Sequence, residues 1–298
     1  MLNRVISKET ISMAWLVVLL LFPVALLNYL DRQMIAAMKT SVMSDISGMA
    51  SESQWGYMLG QFKWSYAFFS PIGGLLADRV SRRWTIGASL VCWSAITFLT
   101  GLVDSFQGLL WTRTAMGISE AFYIPAALAL ISDYHIGPTR SKAVGVHQMG
   151  IYCGVILGGF AGYAADSPAV GWRLTFQVIG VIGIAYAVPL LFFLRDVPNE
   201  ETTNVVNGVD QETVLNRSTT SPVERSVFSE LFTNFSFLLL VAYFTLPALS
   251  AWIVRDWMPS ILKESFDISQ GFAGVSATLY WQLAAIFAAL FGGWLADR

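Results

Sequence analysis

Two nearly identical stretches decide the fold: "GGLLADR" at residues 73–79 and "GGWLADR" at residues 292–298. Six of their seven residues agree, and each stretch follows a long apolar run. A stretch that recurs at a large spacing is typical of a chain built from related halves. The repeat therefore predicts that the apolar runs before residues 73 and 292 occupy equivalent places in two halves.

The composition favours a membrane protein. The chain is 55% hydrophobic and 13% charged, whereas soluble domains carry about a quarter charged residues. Its net charge of −2 gives no indication of a nucleic-acid partner. The two cysteines, Cys92 and Cys153, lie in apolar runs and are interpreted as packing residues, without a disulfide or a metal site.

Eight segments have the length of a membrane-spanning helix, which needs roughly 20 residues to cross the bilayer core. They are residues 12–38, 56–77, 84–103, 107–132, 142–164, 173–194, 232–255 and 271–296. They lack the alternation of a membrane barrel, so an all-α membrane protein is predicted. With the N-terminus inside, ten Lys and Arg lie in inner segments and at most four in outer ones. This predicts a cytoplasmic N-terminus in an inner or plasma membrane.

One long polar stretch, residues 195–228, divides the spans. It has no apolar period and predicts a cytoplasmic linker. Residues 1–194 would then form a six-helix bundle, and residues 229–298 would form the first two helices of a second bundle. The two copies of the repeat end the second and eighth spans, so the halves would share one orientation.

Several motifs resemble the major facilitator superfamily. "GGLLADRVSRRW" resembles its loop signature G-x-x-x-D-R-x-G-R-R, with Ser81 where glycine is usual. "RTAMGISEAFYIP" and "GWRLTF" resemble motifs of its fourth and sixth spans. "NYLDRQMIAA" and "WMPSIL" resemble the anion:cation symporter branch, which includes hexuronate carriers, and "DRVSRRW" also resembles the Spinster-like branch. The resemblance implies a major facilitator type helical bundle and a secondary transporter.

The same resemblance implies twelve spans. The chain is therefore expected to be a fragment that lacks spans 9–12, and the alternative is a protein of eight spans.

Asp31 and Arg32 are ionisable residues in the first span, where each charge costs about 2.5–3.5 kcal/mol. They face a watery cavity or lie at the interface beyond Leu30. The apolar "QMIAAMK" that follows favours the cavity. The planar fork of Arg32 suits a carboxylate, and Asp31 could carry a proton. The resemblance implies that this pair takes part in substrate binding and proton coupling.

Glu120 falls near the middle of the fourth span. Such a carboxylate can exchange a proton near neutral pH and so couple transport to protons, or it is a permanently protonated structural acid. Arg113, two turns earlier, either tunes Glu120 or tethers the helix. His147, in the fifth span, is a proton relay or a hydrogen-bonded structural residue.

Four further residues are predicted to contact substrate. Lys63 either snorkels to the interface or adds a second cavity cation. Tyr66, one turn below, matches an aromatic that the symporter branch uses near substrate. Tyr29 is a hydroxyl donor or a packing residue. Arg255 faces the cavity or pairs with Asp256 at the interface.

The repeat loop is predicted to be a conformational gate. Gly74 would permit close helix contact, Asp78 would face a helix N-terminus of the other half, and Arg82 would pair with Asp133. Such contacts exist only when the cytoplasmic side is closed, so they would bias the conformational equilibrium. The alternative is a plain positively charged inner loop. The predicted gate comprises Gly74, Asp78, Arg79, Arg82, Arg83 and Asp133.

Glycine recurs at every fourth residue of the fifth span, at Gly150, Gly154, Gly158 and Gly162. This gives one helix face without side chains. It predicts a packing or sliding surface between the two halves.

These observations predict a secondary carrier that moves a small organic anion, a sugar acid or carboxylate, with protons by alternating access. It would act as a monomer without a cofactor. The alternative within the superfamily is a Spinster-like lipid or lysolipid carrier. An enzyme or a receptor is disfavoured, because the sequence has no metal-ligand cluster, phosphate loop, nucleophile constellation or soluble domain.

Overall fold

The computed structural model describes residues 8–135, 139–197 and 233–296, with side chains from Met13 onward and without that of residue 78. All of the regular elements described in these ranges are helices. They are α1 (Lys8–Ala37), α2 (Lys39–Asp45), α3 (Glu52–Arg79), α4 (Arg82–Thr100), α5 (Phe106–Glu120), α6 (Tyr123–Tyr134), α7 (Arg140–Asp166), α8 (Gly171–Phe193), α9 (Phe235–Phe266) and α10 (Gln270–Ala296).

Six segments are long and apolar enough to cross a membrane. They are Met13–Ala37, Phe106–Tyr134, Arg140–Asp166, Gly171–Phe193, Phe235–Phe266 and Gln270–Ala296. The predicted second and third spans correspond to α3 and α4, which are helical over 28 and 19 residues but fall outside this set. The all-α membrane fold predicted from sequence is confirmed.

The predicted fourth span is not one helix. It is divided into α5 and α6, with a turn at Ala121 and Phe122. Pro125 explains the break, since its ring removes an amide donor and clashes with the carbonyl four residues earlier, that of Ala121. The break places Glu120 at the end of α5.

The chain divides into two compact units. The first contains Met1–Asp196 and Asp256–Arg298, and the second contains Val197–Arg255. The boundary between the units lies inside α9. The predicted linker lies outside the described residues from position 198 onward, so the predicted domain limits remain predictions.

The glycine face of α7 packs mainly within the first half. A Cβ at Gly154 would lie 2.2 Å from the carbonyl oxygen of Leu26, and those at Gly150 and Gly158 would lie 2.7 Å from carbonyl oxygens of Phe22 and Leu30. The prediction that this face packs between the halves is wrong at these three positions, because their partner is α1.

A neighbouring face of α7 makes the contact with α10. A Cβ at Gly159 would lie 2.7 Å from the carbonyl oxygen of Gly274, and one at Gly162 would lie 2.7 Å from that of Gln270. Both pairs of backbones therefore approach without intervening side chains. Of the four predicted glycines, Gly162 alone meets the second half.

An ionic cluster joins three segments of the first unit that lie between or at the ends of helices. Arg173 donates from Nε to Oδ2 of Asp45 at 2.7 Å and pairs through Nη2 with Asp104 at 2.9 Å. Trp172 donates to the same Asp45 oxygen at 2.9 Å. The hydrogen bond from Arg173 lowers the pKa of Asp45. The "GWRLTF" motif thus anchors the start of α8 to α2 and to the α4–α5 loop.

Candidate functional site

Arg32 and Glu120 form a buried ion pair between α1 and the end of α5. The Nε of Arg32 donates to Oε2 of Glu120 at 2.5 Å. The Glu120 side chain is fully buried, and that of Arg32 is 15% exposed. The pair brings together two residues that the sequence predicted for different tasks, substrate binding and proton coupling.

Three aromatic rings surround the Arg32 guanidinium. Its Cζ lies 4.7 Å from the ring centroid of Tyr29, 5.0 Å from that of Phe62 and 4.6 Å from that of Tyr66. Aromatic faces attract a cation within about 6 Å. Tyr29 comes from the preceding turn of α1, and the other two rings are one turn apart on α3. The predicted residues Tyr29 and Tyr66 are therefore beside Arg32, and Phe62 joins them.

Asp31 faces a second polar group of the same region. Its carboxylate is buried, with no hydrogen-bond partner among the described residues. Arg113 is buried on α5 and donates to Oγ1 of Thr100 at 3.2 Å. Adjacent positions on α1 thus carry a paired cation, Arg32, and a buried carboxylate without a hydrogen-bond partner among the described residues, Asp31.

Several buried polar atoms have no protein partner within the part of the chain that the structure describes. They are Nη2 of Arg32, Oε1 of Glu120, both carboxylate oxygens of Asp31 and both amide atoms of Asn28. Most buried polar groups in proteins are hydrogen-bonded to protein or to water. These atoms are therefore available to a ligand, a proton or water.

Lys63 pairs with Asp256 on α9. A second cation, Lys39, pairs with Glu52 and lies 3.6 Å from Glu264 on α9. Both lysines thus connect the first six spans to the part of α9 that belongs to the first unit. Lys63 is therefore an ion-pair residue here, and its role in substrate binding stays a prediction. Arg255 belongs to the second unit, and its role in substrate binding also stays a prediction.

The repeat loop makes one of the contacts predicted for the gate. Arg82 pairs with Asp133, as the sequence predicted. Arg83 donates from its backbone to Oδ1 of Asp196 at 2.9 Å, and Ser81 donates to Oδ2 of the same carboxylate at 2.5 Å. Ser81 also accepts from the backbone of Trp84 and so caps α4, which gives the serine a role at the position where the family signature has glycine.

The close approach predicted at Gly74 occurs at its neighbour. A Cβ at Gly74 would meet nothing within 4 Å, whereas one at Gly73 would lie 2.6 Å from the carbonyl oxygen of Ala121. Gly73 is the residue that faces the α5–α6 break, and the helix contact predicted for Gly74 stays a prediction. Arg79 lies at the end of α3. The side chain of Asp78 lies outside the described residues, and the gating role stays a prediction.

His147 is a hydrogen-bonded residue of the core. Its Nε2 lies 2.9 Å from the hydroxyl of Tyr123, which also lies 3.2 Å from the carbonyl oxygen of Leu21. The imidazole is buried with the ring of Tyr123 beside it. This geometry favours the structural alternative given above over a proton relay.

Comparison with known proteins identifies the family. The Major Facilitator Superfamily model matches residues 21–298. Protein spinster of Drosophila melanogaster is 32% identical over 86% of this chain and 40% of its own length. The hexuronate transporter of Bacillus subtilis (strain 168) is 26% identical over 94% of this chain and 64% of its own length.

A solved structure shows the same fold. The inward-facing, unoccupied crystal structure of a bacterial homolog of the human lysosomal transporter Spinster superposes with a TM-score of 0.75. It is 26% identical and covers 98% of this chain, which spans 63% of that protein. The chain thus spans less than two thirds of the relatives it matches. The matched residues and the shared helical fold show that this chain belongs to the Major Facilitator Superfamily.

Proposed function

We propose that the protein containing this chain is a secondary transporter that moves a small organic anion, a sugar acid or carboxylate, together with protons by alternating access. The observation that carries the proposal is the buried Arg32–Glu120 pair, whose guanidinium retains Nη2 without a partner among the described residues. A planar guanidinium binds a carboxylate through two parallel hydrogen bonds. The cation is thus suited to an anionic substrate.

The pair also supplies a route to coupling. Glu120 and a substrate carboxylate would compete for the same guanidinium. Protonation of Glu120 removes its negative charge and weakens its hold on Arg32, which then favours binding of the anion. Asp31 provides a second buried carboxylate, next to Arg32 in sequence. A proton and an anion would therefore enter the site together.

The relatives support the substrate class. One is named a hexuronate transporter and another a probable L-galactonate transporter of Escherichia coli (strain K12), 26% identical over 88% of this chain. Both cargoes named are sugar acids. The proposal extends that class to this chain.

Uptake by the full-length protein tests the proposal. In proteoliposomes we expect radiolabelled hexuronate to accumulate under an inward proton gradient and not in the presence of a protonophore. Inhibition of the labelled uptake by excess unlabelled hexuronate would establish a saturable binding site. Uptake that the protonophore leaves unchanged would contradict proton coupling, and the absence of uptake for every sugar acid and dicarboxylate offered would contradict the substrate class.

Glu120→Gln separates coupling from transport. The glutamine resembles the protonated carboxyl and cannot release a proton. We expect the variant to lose gradient-driven accumulation but to keep exchange of labelled for unlabelled substrate. Asp267→Asn, at an exposed carboxylate just after α9, is the matched control and should behave as wild type. A Glu120→Gln variant that still accumulates substrate against a gradient would assign coupling elsewhere.

A Spinster-like lipid or lysolipid carrier is the second candidate. It is favoured by the 32% identity to protein spinster and by the Spinster homolog structure. Arg32→Ala distinguishes the two. We expect the variant to lose transport of a sugar acid, because the substrate carboxylate no longer has a guanidinium to bind. Transport of a lysolipid, whose apolar chain supplies most of the binding, should decrease less.

The orientation is part of the proposal. The excess of Lys and Arg in alternate connections supports a cytoplasmic N-terminus in an inner or plasma membrane. We also propose that residues 1–194 and 229–298 belong to separate bundles of one monomer. Protease accessibility of tags placed at residue 1 and in the 195–228 segment would test the orientation.

A further inference from the structure

A polar network joins the start of α10 to two elements of the first half. Gln270, the first residue of α10, donates from Nε2 to Oγ of Ser41 on α2 at 2.8 Å and to Oδ1 of Asp166 at the end of α7 at 3.1 Å. Its Oε1 accepts from the backbone N–H of Ser41 at 3.3 Å. The Gln270 amide thus uses its donors and its acceptor on residues that lie 229 and 104 positions away in the chain.

The carboxylate of Asp166 also caps α10. Its Oδ2 accepts from the backbone N–H of Gly271 at 3.2 Å. The first four N–H groups of a helix have no partner within the helix, and a negative charge beside them is favourable. Ser269 accepts from the N–H of Phe272 at 3.2 Å from within the second half. Asp166 therefore supplies, from the first half, a cap for a helix of the second half.

The helix ends that carry this network are in close contact. Gln270 is 5% exposed. A Cβ at Gly162 would lie 2.7 Å from the Gln270 carbonyl oxygen, and one at Gly271 would lie 2.4 Å from the ring of Tyr163. The N–H hydrogen bonds at this contact are already near the long limit of about 3.2 Å for such bonds. A small separation of the two halves at this end would therefore break them.

The contact is polar and lies at the edge of the protein. Asp166 is exposed and Ser41 is half-buried, so water can reach both residues when the helices part. Because water then replaces each protein partner, the net free energy of each hydrogen bond is small. Such a contact can form and break repeatedly, whereas the backbone packing of Gly159 on Gly274 offers water no comparable exchange.

We infer that Ser41, Asp166 and Gln270 form a latch that holds the two halves closed at one end of the molecule. This end lies opposite the repeat, since α10 begins at the latch and reaches the second copy of the repeat at its other end. The latch exists only while this end is closed, so it stabilises that conformation against the one that opens here. The inference rests on the alternating access proposed above.

Distances between pairs of spin labels on the full-length protein test the inference. Both natural cysteines are replaced, and each pair joins exposed positions of the two halves. Ala50→Cys with Phe266→Cys reports on the latch end, and Val80→Cys with Ala296→Cys reports on the repeat end. We expect each pair to give a short and a long distance, one for the closed and one for the open arrangement.

Asp166→Asn weakens the latch, because its side chain keeps one acceptor atom for two N–H donors. We expect the ratio of long to short distances at the latch end to rise about fivefold and the repeat-end pair to shift toward its short distance. Asp267→Asn, at an exposed carboxylate just after α9, is the matched control and should change neither pair.

Gln270→Leu provides a second test, since it removes the amide and keeps a side chain of similar size. Its effect at the latch end should have the same sign, and the double variant with Asp166→Asn should show less than the sum of the two effects, because they share one hydrogen bond.

Two results would overturn the inference. An unchanged distance distribution at the latch end in both single variants would mean that Gln270 belongs to a permanent joint. A broadening of both pairs, without opposite shifts, would mean that the variants merely loosen the structure. These distances require no substrate. A protein that shows the opposite shifts but transports no sugar acid would support the latch and contradict the proposed substrate.

Discussion

At the level of single residues, burial of the Arg32–Glu120 pair costs hydration free energy that only the pairing offsets. Both side chains are removed from water, so each depends on the other to offset its lost hydration. We expect Arg32→Gln to destabilise the protein by about 3–5 kcal/mol, because it leaves a carboxylate buried without its cation. The thermal unfolding midpoint in detergent measures this loss.

The double variant provides the control. Arg32→Gln combined with Glu120→Gln removes both charges and should regain most of the lost stability. If the two single effects simply add in the double variant, the two side chains do not stabilise each other and the proposed pairing is wrong.

The sequence could reveal Asp31, Arg32 and Glu120 because charges are rare in apolar spans. It could not reveal Phe62, since phenylalanine is common in such helices. The i, i+4 spacing of Phe62 and Tyr66 was the only signal available. Lys39 was likewise overlooked, because its partners Glu52 and Glu264 come from distant parts of the chain.

At the level of helices, α3 approaches the α5–α6 break closely at Gly73. Gly73→Ala would place a Cβ 2.6 Å from the Ala121 carbonyl oxygen, so one backbone must move. We expect a loss of about 1–3 kcal/mol, typical of overpacking. Gly74→Ala has open space and should be neutral or slightly stabilising, because alanine favours the helix. Thermal unfolding of the two variants compares them, and equal midpoints would contradict the assignment of the contact.

The ionic cluster of Asp45, Asp104 and Arg173 predicts a pH dependence. Since the hydrogen bond from Arg173 lowers the pKa of Asp45, the pairing contributes stability above the unfolded pKa of aspartate, about 3.9. That contribution is lost as the pH falls through the lower folded-state pKa. We expect Arg173→Gln to be less stable than wild type at pH 6 and to lose less stability on acidification below pH 4. Parallel melting curves for the two proteins across this range would refute the prediction.

Helix positions followed from length and hydropathy, but the division of the fourth span did not. The apolar run continues through Ala121 and Phe122. Hydropathy therefore gives no sign of the turn that Pro125 imposes. The packing partner of α7 could not be predicted either, since four glycines on one face indicate a close contact without identifying the other helix.

At the level of the whole molecule, α9 is joined to the first half by lysine–carboxylate pairs. If they hold one side of the transporter closed, Lys63→Gln should shift the equilibrium toward opening on that side. We expect about a fivefold increase in the labelling rate of Ser260→Cys, a buried position on α9, by an impermeant maleimide in a background with both natural cysteines replaced.

Lys263→Gln, on the same helix, is the matched control and should leave the labelling rate unchanged. An unchanged rate in Lys63→Gln itself would show that the Lys63–Asp256 pair does not bias the conformational equilibrium.

The loop signature that begins within the first copy of the repeat indicated the superfamily, which the family comparison confirms, because its residues are specific to that family. The way in which α10 packs on α7 was not predictable, since it depends on Gly159 and Gly274 and not on the repeat itself.

The near-contact of backbones along α1, α7 and α10 restricts how the molecule can move. Carbonyl groups of one helix contact glycine faces of the next at successive turns. No layer of side chains lies between these helices to adjust when one of them tilts. A displacement of the α1 segment that bears Arg32 would therefore move α7 with it. Ångström-scale events around one guanidinium would thereby become rigid-body motion of the α1–α7 pair against α10, the relative motion of the two halves that alternating access requires.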